Sequence, residues 1–186
     1  MTTDVRQSIG PPSAFFRENQ VRLIEAARLG WVVDLACGRG RHAIAAADLG
    51  LSVLAIDRNQ SALDELAQVE PLGTGRIKTR QLDLESEPSP VLDATDVKAV
   101  LVSRYLHRPL AAWIQSLVPI DGILLYETFT RAQKTLTWGP TRDAFLLKSG
   151  ELPGLFPELK VEIYEEGPAL DERAPLTARL LATRVP

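Results

Sequence analysis

The 186-residue chain is weakly acidic, with 24 acidic and 21 basic side chains and a formal net charge of −3. This balance argues against a broad electrostatic footprint for nucleic acid. The single cysteine, Cys37, excludes an internal disulfide and is typical of a reducing compartment. The length predicts a single domain over residues 1–186. No apolar run approaches the ~18 residues of a membrane span, and the N-terminus lacks a signal pattern, so we expect a cytoplasmic protein without a membrane partner.

The first half of the chain alternates between predicted helices and strands. Residues 1–12 are polar and end in two prolines, which favours a flexible entry. Apolar positions then recur at helical spacing over 13–29, and Gly30 provides a stop signal. The elements that follow are strand 31–36, helix 40–49, strand 52–57, helix 59–69 and a weaker strand over 76–82.

The second half continues this alternation with two irregular segments. Residues 85–96 hold acids, prolines and few apolar positions, which predicts a crossover reduced to a turn or two. Residues 128–158 are rich in loop-forming residues and are expected to be a substrate-side insertion with a short helix at 150–156. The remaining elements are strand 98–103, a helix after Pro109, strand 120–127 and closing strands over 159–165 and 176–184. The pattern predicts the α/β class, with a mostly parallel, doubly wound sheet.

The segment 31–40 predicts a strand–turn–helix of the kind that holds a nucleoside-containing ligand. An apolar run carries Asp34 and breaks into a turn with Gly38 and Gly40 before a helix begins. Glycine has no Cβ, so such a turn lets the backbone approach a ligand closely. The next strand ends in Asp57, 17 residues after Gly40 (57 − 40), near the spacing of about 20 at which doubly wound folds place an acid on a ribose. An ordinary strand–turn–helix with a capping aspartate is the alternative.

The negative charge of Asp34 decides between two classes of cofactor. Gly38, Gly40 and Ala43 also fit a dinucleotide pattern, but a dinucleotide would place its pyrophosphate where Asp34 opposes it. S-adenosylmethionine carries an ammonium and a sulfonium group and no phosphate. The run Asp34-Leu-Ala-Cys-Gly-Arg-Gly40 matches the motif acid, x, small, x, Gly, x, Gly. Here the chain resembles the class I S-adenosylmethionine-dependent methyltransferases, over nearly its whole length from about residue 13.

The resemblance implies a Rossmann-like, seven-stranded sheet with an antiparallel last strand, and S-adenosylmethionine as the cofactor. It implies that Asp34 and the backbone at Ala36 and Gly38 hold the methionine end and that Asp57 holds the ribose. It places Asp83 and Leu84 at the adenine, with a helix or turn cap as the alternative for Asp83. Further expected cofactor-binding residues are Cys37, Gly40, His42, Arg58 and Ser103. No metal site is predicted.

Residues after the fourth strand are expected to face the acceptor, because ligands of doubly wound sheets lie at the carboxyl ends of the strands. The catalytic candidates are His107, Arg104 and Tyr105. His107 could be a general base for a hydroxyl or thiol, or a residue that orders its loop, and the sequence leaves both open. His42 is expected to pack or to hydrogen-bond rather than react, and Cys37 has no predicted base.

Four arginines fall in segments that could rim the mouth of the site: Arg104, Arg108, Arg131 and Arg142. Guanidinium groups match carboxylates and phosphates, so we expect an anionic small-molecule substrate. Solvated surface charges are the alternative for each arginine. Glu127 ends a central strand, where a carboxylate is unusual, and is expected to contact the substrate or the arginines.

Three phrases, at 104–110, 125–129 and 145–152, are similar to small bacterial methyltransferases of the tellurite-resistance type. That group is thought to methylate small, often soft or chalcogen-containing acceptors. The chain lacks the Asn/Asp-Pro-Pro-Tyr/Phe tetrapeptide that marks amino methylation. We therefore predict methyl transfer to a small molecule. An RNA or protein methyltransferase and a non-catalytic cofactor-binding partner remain alternatives, an NAD-dependent oxidoreductase is more distant, and the acceptor and the oligomeric state stay open.

Overall fold

A seven-stranded sheet in the order β3-β2-β1-β4-β5-β7-β6 forms the centre of the molecule. The structure is a computed structural model that describes residue 6 and residues 8–86, 91–171 and 173–186. Strands β1 to β5 pair in parallel, whereas β7 runs antiparallel to both β5 and β6. The strands are β1 (Trp31–Leu35), β2 (Ser52–Asp57), β3 (Arg76–Gln81), β4 (Val97–Ser103), β5 (Ile123–Phe129), β6 (Lys160–Pro168) and β7 (Leu176–Thr183). The predicted α/β class and the antiparallel last strand are confirmed.

Helices cover both faces of this sheet. They are α1 (Ala14–Glu18), α2 (Gln20–Ala27), α3 (Arg41–Asp48), α4 (Gln60–Ala67), α5 (Ala111–Leu117) and α6 (Glu151–Gly154). The single helix predicted over 13–29 is broken at Asn19, whose side-chain Nδ2 donates to the Phe15 carbonyl at 2.8 Å. Ser13 caps α1, because its hydroxyl accepts from the Phe16 N–H. The break turns the chain, so α1 and α2 pack as two separate helices.

Alternate residues of the central strands feed two apolar cores, one on each face. Val33 and Leu35 of β1 join one core, whereas Val32 joins the other. Strand β5 is buried at all seven positions, as expected for a central strand with both faces covered. The order of the strands reverses between β1 and β4, and ligands of doubly wound sheets bind at such a switch point.

The crossover from β3 to β4 is reduced, as the composition of 85–96 predicts. No helix occurs in its described parts, 82–86 and 91–96, while residues 87–90 lie outside the described part of the chain. On the adjoining sheet face the Arg76 guanidinium lies 4.7 Å and the Lys78 ammonium 5.0 Å from the Trp31 ring centroid. The stems of these cationic side chains cover apolar surface that a helix would otherwise cover.

The loop-rich segment predicted over 128–158 is folded back on the carboxyl edge of the sheet. Short 3₁₀ turns at 131–135 and 143–145 precede α6. Gln133 is fully buried and ties this segment to β7, since its side chain donates to the Trp138 carbonyl and accepts from the Leu176 N–H, both at 2.8 Å.

The N-terminal segment, predicted as a flexible entry, contacts the rest of the protein where it is described. Arg6 donates two hydrogen bonds to the Asp48 carboxylate, at 2.9 and 3.0 Å. Among the described residues, no helix combines the length and the apolar character needed to cross a bilayer.

Candidate cofactor and acceptor site

The turn after β1 lies beside open space at the carboxyl edge of the sheet. Ala36, Gly38 and Gly40 all have positive φ, at 53°, 56° and 82°. A Cβ at Gly38 would meet nothing within 4 Å, whereas one at Gly40 would lie 2.5 Å from the Leu66 side chain. The turn therefore needs Gly38 for its conformation and Gly40 for both conformation and packing. Ala36 holds a strained conformation beside the site, which is common where backbone contacts a ligand.

Replacing Gly40 with alanine is expected to cost about 2–5 kcal/mol of folding free energy, from left-handed strain and overpacking against Leu66. The matched variant Gly38→Ala has the same sign of φ but open space, so its cost should be only about 1–2 kcal/mol. Urea unfolding of both variants measures the difference. Equal losses would show that the Leu66 contact relaxes freely.

Asp57 ends β2 and closes the turn from the other side. Its Oδ2 accepts from the Gly38 N–H at 2.7 Å, and its Oδ1 accepts from the Asn59 N–H at 2.9 Å. Each carboxylate oxygen retains a second lone pair for a ligand hydroxyl.

Asp34 is the buried acid of the site. It is 2% exposed, and its Oδ2 has no hydrogen-bond partner in the described part of the protein. Burial raises the pKa of Asp34 to about 7, although a hydrogen bond from the Ala43 N–H and the charge of Arg41 act in the opposite direction. An unpaired buried oxygen of this kind is explained by a ligand that donates to it.

Two cavities meet at this edge, and both are lined by Ala36 and Arg104. The larger, of about 410 Å³, is lined by the ends of β2 and β3, the segment after β4 and the insertion: Ala36, Asp57, Arg58, Leu82, Asp83, Leu84, Glu85, Arg104, Tyr105, Leu106, Phe129, Pro140 and Phe145. The smaller, of about 250 Å³, is lined by Ile9, Asp34, Ala36, Cys37, Arg39, Arg41, His42, Ser103 and Arg104. The structure thus brings together every predicted cofactor-binding residue except Gly38 and Gly40, which form the adjoining turn.

Two residues in this neighbourhood carry structural hydrogen bonds. Asp83 Oδ1 accepts from the Glu85 N–H at 2.9 Å, so Asp83 caps a turn and also lines the larger cavity. The Nε2 of buried His42 accepts from the Ser13 N–H at 3.1 Å, which places the ring proton on Nδ1. Burial lowers the pKa of His42 well below its usual value, and Arg41 and Arg104 lower it further. His42 is therefore a neutral residue that anchors the start of α1.

Cys37 lies in the turn and is not activated. Burial raises its pKa far above the usual value for a thiol, and the nearby charges of Asp34 and Asp57 add to this. The thiol is protonated at neutral pH, so Cys37 is a packing residue beside the site.

Arg41 begins α3 and is the cationic side chain that the sequence reasoning missed. Its Nη2 donates to the Ser103 Oγ at 3.0 Å, across the smaller cavity from the turn. Burial lowers the pKa of Arg41. The sequence does contain a signal for this role, because Arg41 directly follows the glycine turn.

Arg104 directly follows β4 and has a left-handed conformation with φ of 55°, and its N–H donates to the Glu127 carbonyl at 2.8 Å. The guanidinium lies 5.9 Å from the Phe129 ring centroid. Within the described chain, the guanidinium makes no hydrogen bond, and its nearest carboxylate oxygen is the Asp171 Oδ2 at 4.0 Å. Arg104 therefore offers unused donors to both cavities.

Of the other two residues predicted to face the methyl acceptor, Tyr105 lines a cavity and His107 does not. Tyr105 lines the larger cavity, and its buried hydroxyl has no hydrogen-bond partner among the described residues. His107 lines neither cavity, because the 3₁₀ turn at 108–110 starts directly after it. Its role as a base stays a prediction that the structure does not test.

The other three arginines of the predicted rim also lie outside the two cavities. Arg108 donates to both carboxylate oxygens of Glu151, at 2.5 and 3.0 Å. Arg131 lies 3.5 Å from the Asp143 carboxylate, and Arg142 is exposed. Of the four arginines, only Arg104 lines the cavities. Arg104 is therefore the one of the four that remains a candidate to bind an anionic substrate.

Glu127 lies buried behind Arg104 at the end of β5. Burial raises its pKa, and the Thr177 hydroxyl donates to its Oε1 at 3.3 Å. Its Oε2 has no hydrogen-bond partner in the described structure. Glu127, Ser13 and His42 line a cavity of about 10 Å³, which is room for about one water molecule.

The sheet order, the antiparallel last strand and the acids at the ends of β1 and β2 define the fold of the class I S-adenosylmethionine-dependent methyltransferases. Residues 17–95 match the family model described as tellurite resistance protein TehB. No curated protein matches the chain. The sequence-based identification is thus confirmed: the chain resembles class I methyltransferases, and among them the tellurite-resistance type.

Solved structures share the fold of this chain at low sequence identity. TehB from Haemophilus influenzae aligns with a TM-score of 0.64 at 18% identity, covering 90% of this chain and 62% of that one. The CcbJ methyltransferase from Streptomyces caelestis has a TM-score of 0.70 at 15% identity, with 96% and 92% covered. A TehB-like methyltransferase from Corynebacterium glutamicum has a TM-score of 0.62 at 17% identity, with 90% and 86% covered. The chain therefore spans about three fifths of the Haemophilus protein.

Proposed function

We propose that the protein transfers the methyl group of S-adenosylmethionine to a small-molecule acceptor. The observation that carries the proposal is the unpaired, buried Oδ2 of Asp34, which lies beside a glycine turn at the switch point of a methyltransferase fold. The ammonium of the methionine moiety can donate a hydrogen bond to this oxygen, and its positive charge complements the negative charge of the carboxylate. A pyrophosphate would instead meet the Asp34 carboxylate as a like charge.

The lining residues fit the rest of this cofactor. Asp57 retains lone pairs for the ribose hydroxyls, and Asp83 with Leu84 offers a carboxylate and an apolar surface to the adenine. Arg41 in the smaller cavity suits the carboxylate of the methionine moiety. When bound, S-adenosylmethionine supplies an electrophilic methyl group on a sulfonium.

The chain contributes alignment rather than covalent chemistry. The turn residues and Asp57 fix one reactant, and Arg104 orients the acceptor from the side that both cavities share. Holding two reactants in line is worth up to roughly 7–11 kcal/mol in well-oriented systems. Leu84, Leu106 and Phe129 give the larger cavity apolar wall surface.

The acceptor is proposed to be small and anionic, with a soft nucleophilic atom. Arg104 is a cation with unused donors at the cavities, which supports an anionic group. A soft anion needs little help from a base, which is consistent with His107 lying outside the cavities. The name of the matching family makes tellurite the first oxyanion to test as an acceptor. A hydroxyl acceptor would require a base, and His107 is then the candidate.

An RNA or protein substrate has less support, because the chain is acidic. A non-catalytic cofactor-binding partner would keep the Asp34 site and lack turnover with every acceptor. A cytoplasmic location is proposed from the free thiol of Cys37, which suits a reducing compartment.

Calorimetric titration with S-adenosylmethionine, S-adenosylhomocysteine and NAD tests the cofactor. We expect both sulfur nucleosides to bind and NAD to give no heat. Asp57→Ala should weaken their binding by about 30-fold, through the loss of hydrogen bonds to a charged acceptor. Asp64→Ala, which removes an exposed carboxylate on α4, is the matched control. Binding of NAD alone would contradict the assignment.

A further inference from the structure

Asp171 is a buried acid beside the candidate site that the sequence did not single out. It lies in the loop between β6 and β7, which is closed by hydrogen bonds from the Ala169 N–H to the Pro175 carbonyl at 2.8 Å and from the Ala174 N–H to the Asp171 carbonyl at 3.0 Å. Arg173, with φ of 71°, stacks its guanidinium 4.2 Å from the Trp138 ring centroid. The described residues of this loop are therefore held by backbone hydrogen bonds, and Arg173 joins them to the insertion at Trp138.

The two oxygens of the Asp171 carboxylate have different surroundings. Oδ1 accepts from the Ala14 N–H at 2.5 Å, which fixes the side chain against the start of α1. Oδ2 has no hydrogen-bond partner in the described residues, although the side chain is only 9% exposed. Its nearest cation is the Arg104 Nη2, at 4.0 Å, which is too long for a hydrogen bond. A buried carboxylate oxygen without a donor is costly unless a ligand supplies one.

Arg104 and Asp171 form a long ion pair at the edge of the two cavities, with the Arg104 Nη2 and the Asp171 Oδ2 4.0 Å apart. Arg104 lines both cavities and Asp171 lines neither. At this distance neither group satisfies the other's hydrogen bonds, so the guanidinium keeps donors and the carboxylate keeps an acceptor for a ligand bound beside the pair. A simple anion would satisfy Arg104 but would be repelled by Asp171. A simple cation would satisfy Asp171 and be repelled by Arg104. A ligand that carries both kinds of group satisfies both residues.

We propose that the acceptor carries an anionic group next to a hydrogen-bond donor, such as a protonated amine, and that Arg104 binds the first and Asp171 the second. This proposal rests on the proposed methyl transfer and narrows its substrate class. The donor requirement excludes anionic acceptors that carry no N–H or O–H group. The anionic group that the sequence predicts is then one of the two ligand groups that the site recognises, and the hydrogen-bond donor is the other.

Two substitutions separate this role from the structural role of Asp171. Asp171→Asn keeps an oxygen that accepts from the Ala14 N–H and removes the charge. Asp171→Ala removes both. A structural anchor would tolerate asparagine and fail with alanine, whereas a recognition residue loses its selectivity in both variants.

Three small thiols test the acceptor class: cysteine, 3-mercaptopropionate and cysteamine. They carry both groups, the carboxylate alone and the amine alone. We expect kcat/KM for cysteine to exceed that for either analogue at least about tenfold in the unmodified protein. In Asp171→Asn, kcat/KM should fall about tenfold for cysteine and cysteamine, and hold or rise for 3-mercaptopropionate. Glu158→Gln, which neutralises an exposed ion-paired carboxylate, should change none of the three.

The opposite order of preference among the thiols would overturn the proposal. A preference for 3-mercaptopropionate in the unmodified protein, or an equal loss with all three thiols in Asp171→Asn, would show that Asp171 does not recognise a donor. Binding of the thiols to the S-adenosylhomocysteine complex is measured in parallel by ligand-observed NMR. If S-adenosylhomocysteine binds and no thiol does, the acceptor class is wrong and the proposed cofactor stands. If S-adenosylhomocysteine itself does not bind, the proposed function fails.

Discussion

Replacing Asp34 with asparagine is expected to weaken S-adenosylmethionine binding by about 100-fold, because Asp34 is the only acidic side chain among the described residues that line the smaller cavity and so the charged acceptor for the ammonium of the methionine moiety. Asparagine has nearly the same volume, so the protein should fold normally. Calorimetric titration at pH 8 gives the affinity. The matched control is Asp48→Asn, which removes an ion-paired carboxylate on α3.

The same residue predicts how cofactor affinity changes with pH. Burial raises the pKa of Asp34 to about 7 in the ligand-free protein, so below this pH the carboxyl is neutral and must lose a proton before it binds a cation. Affinity should fall about tenfold for each pH unit below 7 and level off above it. Asp34→Asn should remove this slope. An unchanged slope in the variant would assign the titration to another group.

The raised pKa also has a consequence for stability. Between the ordinary value of 3.8 and about 7, folded Asp34 holds a proton that the unfolded chain has lost. The free energy of unfolding of the ligand-free protein should therefore fall as pH rises through this window. Urea unfolding at pH 5 and pH 7.5 measures the change, and it should be smaller in Asp34→Asn. Equal changes in the free energy of unfolding of the unmodified protein and of Asp34→Asn would contradict the assignment of this pH dependence to Asp34.

Replacing Arg104 with glycine is expected to lower turnover of the acceptor by about 100-fold, while cofactor affinity stays within about threefold. Arg104 has positive φ, which glycine adopts without strain, so stability should be unchanged or higher. The experiment compares kcat/KM with the urea midpoint of the same variant. Arg28→Gly, at an exposed position after α2, is the control for loss of an arginine.

A result in which activity and stability fall together would show that Arg104 acts through the fold. His107→Ala belongs in the same series, because it tests the predicted base directly. A loss with a hydroxyl acceptor and no loss with a thiol would give His107 the proton-accepting role that the sequence allows.

The acids of the cofactor site could be predicted because each follows a regular local pattern. Asp34 and Asp57 lie at the ends of apolar strands, Asp83 lies just beyond the polar edge strand β3, and parallel strands bring such ends to one edge. The partners of these residues could not be predicted in the same way. Asp171 contacts Ala14, 157 residues earlier in the chain, and no local pattern marks a contact of this range.

The remaining differences from the sequence predictions have local and long-range causes. The helix predicted over 13–29 is interrupted at Asn19, where a side-chain amide competes for a backbone carbonyl. His107 lines neither of the two cavities, and its role as a base stays a prediction. Arg108 was predicted at the mouth of the site, but its guanidinium instead binds the carboxylate of Glu151 in α6. The two residues are far apart in the sequence, so no local pattern predicts this contact.

The contact between α1 and the β6–β7 loop bears on when the pocket forms during synthesis. Ile9 forms part of the wall of the smaller cavity, and Asp171 secures the start of α1. The first and the last thirds of the polypeptide must therefore both be present before the site is complete. A nascent chain on the ribosome has no complete site for its ligand until the final hairpin has emerged, and the same hairpin also supplies residues to both apolar cores, Leu180 to one and Leu181 to the other.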